Sequence, residues 1–307
     1  MTTAPLPGRR AATGTVPAVV SAAGDAPVSK RRDAEDFPWW LVAAVMIAIV
    51  VAIIIAANDI YTQVFQIVAA GVWTTVFVTI VAYALASALG LGIALLGLSG
   101  SIWLRQFSRF YVEMIRSVPI LVLLFWIAFA GVPIFVAGWN WAMTPLRDAG
   151  LVDELLVRDF SLLWRAVLAL TIAYSSFIAE IFRAGIQSVE IGQIEAAKAL
   201  GLSRYRRFRH VVWPQAFRTI LPPYSNDFIA MVKDSSLVSV LGVADITQMG
   251  KVYAAGTFRF FDTYSIVAYI YLLLTVSLSL ALRALEKRMR RGTEHERTRS
   301  GSVESGL

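Results

Sequence analysis

Long uncharged runs alternate with short basic segments along this chain. Pro38 to Ala57 carries no charged residue and opens with Trp39 and Trp40. That is about the length a helix needs to cross roughly 30 Å of hydrocarbon, with indole rings at interfacial depth. Ile60 to Leu104 is also free of charge; we read it as one long span near Val68 to Leu98, not as two helices with a tight turn. Further apolar runs near Val118 to Ala137, Leu162 to Ile186, Ala216 to Leu241 and Thr263 to Leu282 complete a predicted all-α integral membrane fold of about six transmembrane helices.

Charge placement sets the orientation. With the amino terminus inside, the cytoplasmic segments hold Arg31 and Arg32, then Arg105, Arg109 and Arg116, then the cluster from Arg204 to Arg209, then Lys287 to Arg291. Outside, Asn58 to Ile67 has no Lys or Arg, and Gly138 to Ser161 balances Arg147 and Arg158 against Asp148, Asp153, Glu154 and Asp159. This is the bias expected when basic residues stay on the cytoplasmic side. Splitting Ile60 to Leu104 would put the Arg204 cluster outside, so six spans with both termini cytoplasmic is the predicted topology.

Composition narrows the chemistry. The 307 residues are 57% hydrophobic with a net charge of +7, a pattern of topology-setting charge and not of a nucleic-acid surface. There is no cysteine, and His210 and His295 are the two histidines, so thiol chemistry, disulfides and a His/Cys metal site are excluded. Residues 1 to 36, rich in Ala, Pro, Thr and Arg without periodicity, predict a disordered cytoplasmic arm. Arg9 and Arg10 lack the apolar stretch of a twin-arginine signal, and the run after Pro38 is too long and too far from the start for a signal peptide. We divide the chain into that arm, an additional first helix at 37–59, a main transmembrane domain at 60–290 and a polar cytoplasmic tail at 291–307.

Within the second span Ala82, Ala86 and Gly90 recur at spacing four, with Gly92 and Gly97 beyond. Small residues at this interval let helices approach closely in lipid, which predicts a packing face; a backbone-lined pore is the functional alternative.

The segment 187–214 predicts helix, turn, helix. Ser188 to Leu200 has helical character, Gly201 suits a left-handed helix end, and Ser203 suits an N-cap. In the second piece Tyr205, Phe208 and Val212 share one face and Arg204, Arg206, Arg207 and Arg209 the others, with Pro214 as the expected stop. An amphipathic helix lying on lipid would look the same.

Spacing adds a resemblance. Glu195, Ala196, Ala197, three residues, Gly201, nine more, then Val211 and Pro214 resembles the EAA loop of ATP-binding-cassette importer permeases, with Val211 in place of the usual Ile and Trp213 in place of Leu. The flanking pieces YVEMIRSVP (111–119), AYSSFIAEIFRAGIQ (173–187), GQIEAAKALG (192–201) and KDSSL (233–237) are similar to the polar amino acid permeases of the histidine and glutamine type. The resemblance covers about residues 67 to 290; the first helix and the long 138–161 outside loop depart from it. It implies a type I importer fold with a cytoplasmic coupling helix, in which Glu195, Ala196, Ala197, Gly201, Phe208 and Pro214 meet the ATPase. It implies as partners a cytoplasmic ATPase dimer, a second permease subunit, identical or homologous, and an extracytoplasmic substrate-binding protein, in a bacterial cytoplasmic (inner) membrane. The chain has no P-loop: Gly250 and Lys251 are followed by Val252. ATP and Mg are therefore expected on the partner, with no cofactor, metal or catalytic residue in this chain.

Charges at bilayer depth cost roughly 2.5 to 3.5 kcal/mol each on insertion scales, so those retained face a partner or an aqueous path. Glu180 and Arg183, three apart, either pair on one helix face or leave Glu180 on the pathway. Pro222 and Pro223 are expected to break the fifth span before Asn226 and Asp227, with unwound backbone beside a polar path. Asp227 would attract a substrate ammonium and Lys233 a carboxylate. Glu113, Arg116 and Pro119, at the cytoplasmic edge, form by resemblance part of an inner gate or subunit contact; a helix-start ion pair explains the first two equally well. The expected function is import of a polar amino acid. The alternatives are another polar solute, such as an opine or a sulfur-containing amino acid, or a secondary transporter, for which no inverted repeat is found.

Overall fold

The computed structural model describes residues 39–304, and of Trp40, Leu41 and residues 290–304 the backbone only. The predicted 1–36 arm lies outside the described residues. By contacts the chain divides into two units, 1–47 and 48–307. In the first, the described residues belong to the start of α1 (Trp39–Ala57), where Val42, Val45, Met46 and Ile47 are exposed. In the second, the chain is helical throughout its spans.

α2 (Asp59–Ala69) and α3 (Val72–Gly97) follow each other after a single turn, so the long uncharged run is one span, as expected. α4 (Ile102–Ser117) is a separate amphipathic helix that the span assignment did not include. The third span is α5 (Ile120–Trp126), a π-helical turn at Ile127–Gly131 and α6 (Val132–Ala142). α7 (Thr144–Asp148) lies in the following loop, and α8 (Leu162–Gln187) is the fourth span. Among the described residues four stretches are long and apolar enough to cross a membrane, namely Asp59–Gly97, Ile120–Ala142, Leu162–Gln187 and Phe260–Met289. Val42–Ala57 is shorter, and α11 (Trp213–Asp234) falls outside this set; α11 carries Arg218, Asp227, Lys233 and Asp234. Before it come α9 (Ile191–Ala199) and α10 (Arg204–Arg207). After it, a 3-10 segment (Ser235–Leu241) leads to α12 (Ile246–Thr257) and α13 (Phe260–Glu304), so the backbone of the expected polar tail continues a helix.

The core sits where α3 lies along α8, with α11 packed against both. Ala82, Ala86 and Gly90 are buried, and a Cβ added at Gly90 would stand 2.9 Å from the Ser175 carbonyl oxygen of α8. The small residues are therefore a packing face, as their spacing predicts. Gly92 has nothing within 4 Å of that position and lies off the face. A second cluster joins Ile55 of α1, Val64 and Val68 of α2, Ile246 of α12 and Ile266 of α13. Buried Asp245 ties these helices: it caps α12 by accepting from the Gln248 N–H (2.8 Å) and accepts from the Tyr271 hydroxyl (3.2 Å), while Thr75 Oγ1 accepts from the neighbouring Ile246 N–H (3.3 Å).

Two expectations about the prolines are corrected. Pro214 does not end the coupling segment; a π-helical turn at Phe208–Val212 carries the chain straight into α11, with Trp213 N–H donating to the Phe208 carbonyl five residues back. Pro133 follows the turn at Ile127–Gly131 in the same way, with Val132 N–H donating to Ile127 O. A proline lacks the N–H and its ring crowds the carbonyl four residues back; the wider π turn relieves both conflicts. Pro222 and Pro223 do not unwind α11 either: it stays helical from Trp213 to Asp234, with both rings on its exposed side. The long 138–161 segment is held by side-chain bonds. The helix runs to Ala142, Asn140 holds Leu155 through its side-chain amide (2.7 and 3.0 Å), Arg147 meets Glu154 at 3.4 Å, and Arg165 donates to Phe160, Val157 and Ala128 carbonyls.

Candidate functional site

The segment 187–214, expected to meet the ATPase, is built on a two-bond helix end. Gly201, at φ +73°, follows α9; its N–H donates to the Lys198 carbonyl (2.9 Å), and Leu202 N–H donates to Ala197 (3.1 Å). This is the Schellman arrangement, which requires a residue that tolerates left-handed backbone. Ser203 then caps α10, accepting from the Arg206 N–H at 3.4 Å, as its position predicts. Val189, Val212, Ala216 and Ile220 form the cluster that seats the segment on α8 and α11.

What this seat presents outward is mixed. Glu195, Ala196, Gly201 and Pro214 are exposed, and Ala197 is buried. Leu200 is 82% exposed and Tyr205 68%, while Phe208 stacks near Trp213 with ring centroids 6.1 Å apart. Of the predicted apolar face Tyr205, Phe208 and Val212, the structure buries Val212 and leaves both aromatic rings accessible. Exposed rings set among Arg204, Arg206 and Arg209 form a surface suited to a protein groove or an interface, where aromatic and Arg anchors dominate.

The charged candidates divide into two groups. Glu113 and Arg116 of α4 and Glu180 of α8 line one cavity of about 380 Å³, beside Arg183. Glu180 and Arg183 form a two-pronged ion pair, Arg183 Nε donating to Glu180 Oε2 at 3.0 Å, and Arg183 also donates to Gln187 (2.9 Å). Pairing and cavity lining thus coexist at Glu180. Arg116 lies over the Phe177 ring at 5.2 Å, and Pro119 sits at the break between α4 and α5. Asn226, Asp227 and Lys233 are on α11, where Asp227 lies within electrostatic reach of Arg116. Asn226 and Lys233, seven residues apart, are both exposed, while Asp227 is half-buried. Asp227 and Lys233 are six residues apart, which on a helix is about 9 Å of rise and opposite-leaning faces, so they do not converge on one zwitterion within this chain. Around Asp227 the rings of Tyr83, Tyr224 and Phe228 pack with centroids 4.9 Å apart, and Tyr174 donates to Asp234 (2.8 Å).

α4 has a sequence signal of its own, Trp103, Phe107, Phe110 and Met114 at helical spacing, beside the Arg105, Arg109 and Arg116 that set the topology.

Residues 86–291 match the family described as binding-protein-dependent transport system inner membrane component. The chain is similar to the probable glutamine ABC transporter permease protein GlnM of Bacillus subtilis, 34% identical over 71% of this chain and 91% of that one. It is similar also to the octopine transport system permease protein OccM of Rhizobium radiobacter, 34% identical over 73% and 86%. A solved amino acid ABC transporter with histidines superposes with a TM-score of 0.61 at 35% identity, covering 74% of this chain and 95% of that one. With its apolar spans and its matched residues 86–291, this multi-pass membrane protein belongs to the family of binding-protein-dependent transport system inner membrane components.

Proposed function

We propose that this chain is the permease subunit of an ATP-driven importer of polar amino acids in a bacterial cytoplasmic membrane, with both termini cytoplasmic. In this reading residues 60–290 are the permease domain, and 37–59 is an additional helix. An external binding protein delivers the solute, a second permease subunit completes the path, and a cytoplasmic ATPase dimer, which holds ATP and Mg, docks on Glu195, Ala196, Gly201, Phe208 and Pro214, while Ala197, expected among the contacts, is buried beneath them. The observation that carries it is the capped turn at Gly201 between two short helices, seated on α8 and α11 and offering accessible Leu200, Tyr205 and Phe208. Because α10 passes through the π turn into α11 without a break, a push on the docking surface is delivered along the axis of α11 to Asn226, Asp227 and Lys233. We place the pathway beside these residues and assign Glu113, Arg116 and Pro119, with Glu180, to its inner end.

The octopine relative favours a second reading of the solute, an opine handled by the same machinery. Co-purification from the host membrane in mild detergent tests the central reading. A P-loop ATPase should accompany the wild type and be reduced with Glu195→Lys. An ATPase-free protein, stable in both forms, would refute it in favour of a secondary transporter.

A further inference from the structure

The segment between the end of α6 and the start of α8 is held more firmly than its burial requires. No residue from 138 to 161 is buried, so the segment adds nothing to the core, and a stretch of this length without a core is ordinarily functional or disordered. Here it is fixed. Arg165 of α8 donates to the Phe160, Val157 and Ala128 carbonyls, Asn140 holds Leu155 through both ends of its amide, and Arg147 pairs with Glu154. α7 ends at Gly150, φ +68°, whose N–H donates to the Arg147 carbonyl (2.8 Å) while Leu151 N–H donates to Leu146 (2.9 Å). Beyond that turn Leu151 stands 72% exposed.

The segment also rises past the neighbouring span. Phe160, just before α8, meets Phe135 of α6 edge-on with ring centroids 6.0 Å apart. α6 continues to Ala142, seven residues or about 10 Å further along its axis, and its last turn carries Trp141, 82% exposed. Four carboxylates accompany two arginines in this stretch. Arg147 is engaged by Glu154 and Arg158 is exposed, while Asp148 and Asp153 are exposed with side chains that make no hydrogen bond or ion pair among the described residues.

Charge decides what covers such a surface. Anionic lipid is repelled by it, and a second copy meeting it across a two-fold axis would set carboxylate against carboxylate. A soluble protein with a basic face fits, because apolar anchors within a charged rim are the anatomy of a specific interface and a surface fixed beforehand loses little ordering entropy on docking. We infer that residues 138–161 are a docking platform for the external binding protein, with Trp141 and Leu151 as anchors and Asp148 and Asp153 steering a basic face of that protein onto them. The inference rests on the proposed importer reading and adds to it a means of selecting among binding proteins.

The test uses the full-length permease with its ATPase in lipid nanodiscs, and as probe the purified solute-binding protein of the host that stimulates ATP hydrolysis by this complex. Association and dissociation rates are measured at low and high salt. Wild-type association should slow as salt rises. The double variant Asp148→Lys, Asp153→Lys should associate roughly ten-fold more slowly at low salt and lose the salt dependence. Leu151→Ser should dissociate about five-fold faster, as for an interface residue that matters. The thermal midpoint and the retained ATPase should be unchanged in both, since neither change touches the core or the coupling segment. A double variant that associates as fast as wild type or faster, or a Leu151→Ser variant that dissociates at the wild-type rate, overturns the inference. A double variant that alters the oligomeric state of the permease by itself overturns it in favour of a contact between copies. If no binding protein of the host stimulates the wild-type complex, the importer reading fails and the platform with it; stimulation that neither variant affects overturns the platform alone.

Discussion

Replacing Gly201 tests whether the turn between α9 and α10 is what the ATPase recognises. At φ +73° an L side chain sets its Cβ against the following carbonyl, which costs roughly 1 to 2 kcal/mol. Nothing lies within 4 Å of the Cβ position, so Gly201→Ala adds this backbone term and no clash. The turn is exposed, so the free variant relaxes by giving up the two bonds to Lys198 and Ala197 and must re-form them on docking. ATPase binding should weaken by about 5- to 30-fold, the equivalent of that energy. Gly201→Asn, which tolerates left-handed backbone, should lose less than about 3-fold. The assay is the affinity of the purified ATPase for the permease in vesicles, with substrate-stimulated ATP hydrolysis beside it. The thermal midpoint of the permease alone should not move, because no core residue is touched. An Ala variant that docks within two-fold of wild type, or an Asn variant as weak as Ala, would refute the reasoning.

Gly90→Ala should destabilise the protein by about 1 to 3 kcal/mol, the usual range for overpacking, since its Cβ would meet α8 backbone at 2.9 and 3.1 Å; Gly92→Ala, with open space around it, should be neutral. Thermal unfolding of both in detergent distinguishes a packing face from general sensitivity of α3, and a larger loss at Gly92 would contradict it. At Asp245, outside the spans, burial pushes the carboxyl above the ordinary carboxylate range, although the Gln248 and Thr247 N–H groups and the Tyr271 hydroxyl act to lower it. A raised folded value means its contribution is fully present below the unfolded pKa of about 3.9 and is lost as pH rises through the folded value. Asp245→Asn should therefore flatten the stability profile above about pH 4, and a profile unchanged from wild type would exclude this group as the cause.

What could be read from the sequence follows from which interactions are local. The span from Asp59 to Gly97, the packing face of Ala82, Ala86 and Gly90, the turn at Gly201 and the cap at Ser203 depend on apolar length, spacing or one residue's backbone preference, and the structure carries each of them. At Pro214 the rule that proline ends a helix fails because it assumes an α-helical turn before the ring; the preceding turn is π, as it is before Pro133, and the sequence does not mark a π turn. Asp245 escaped for the opposite reason: its partners Tyr271 and, through Ile246, Thr75 are distant in the chain, so no local pattern singles it out. The same limit separates the two halves of the candidate site. The coupling segment is contiguous and was legible as a unit. The cavity draws Arg109 from α4 and Glu180 and Arg183 from α8, and becomes one place only when α3, α4 and α8 pack. The continuity of α10, the π turn and α11 gives Pro214 a mechanical meaning that a helix stop would not have. In the proposed coupling, a broken chain there would let the docking surface rock without moving α11, whereas a continuous helix obliges Asn226 and Lys233 to move with it.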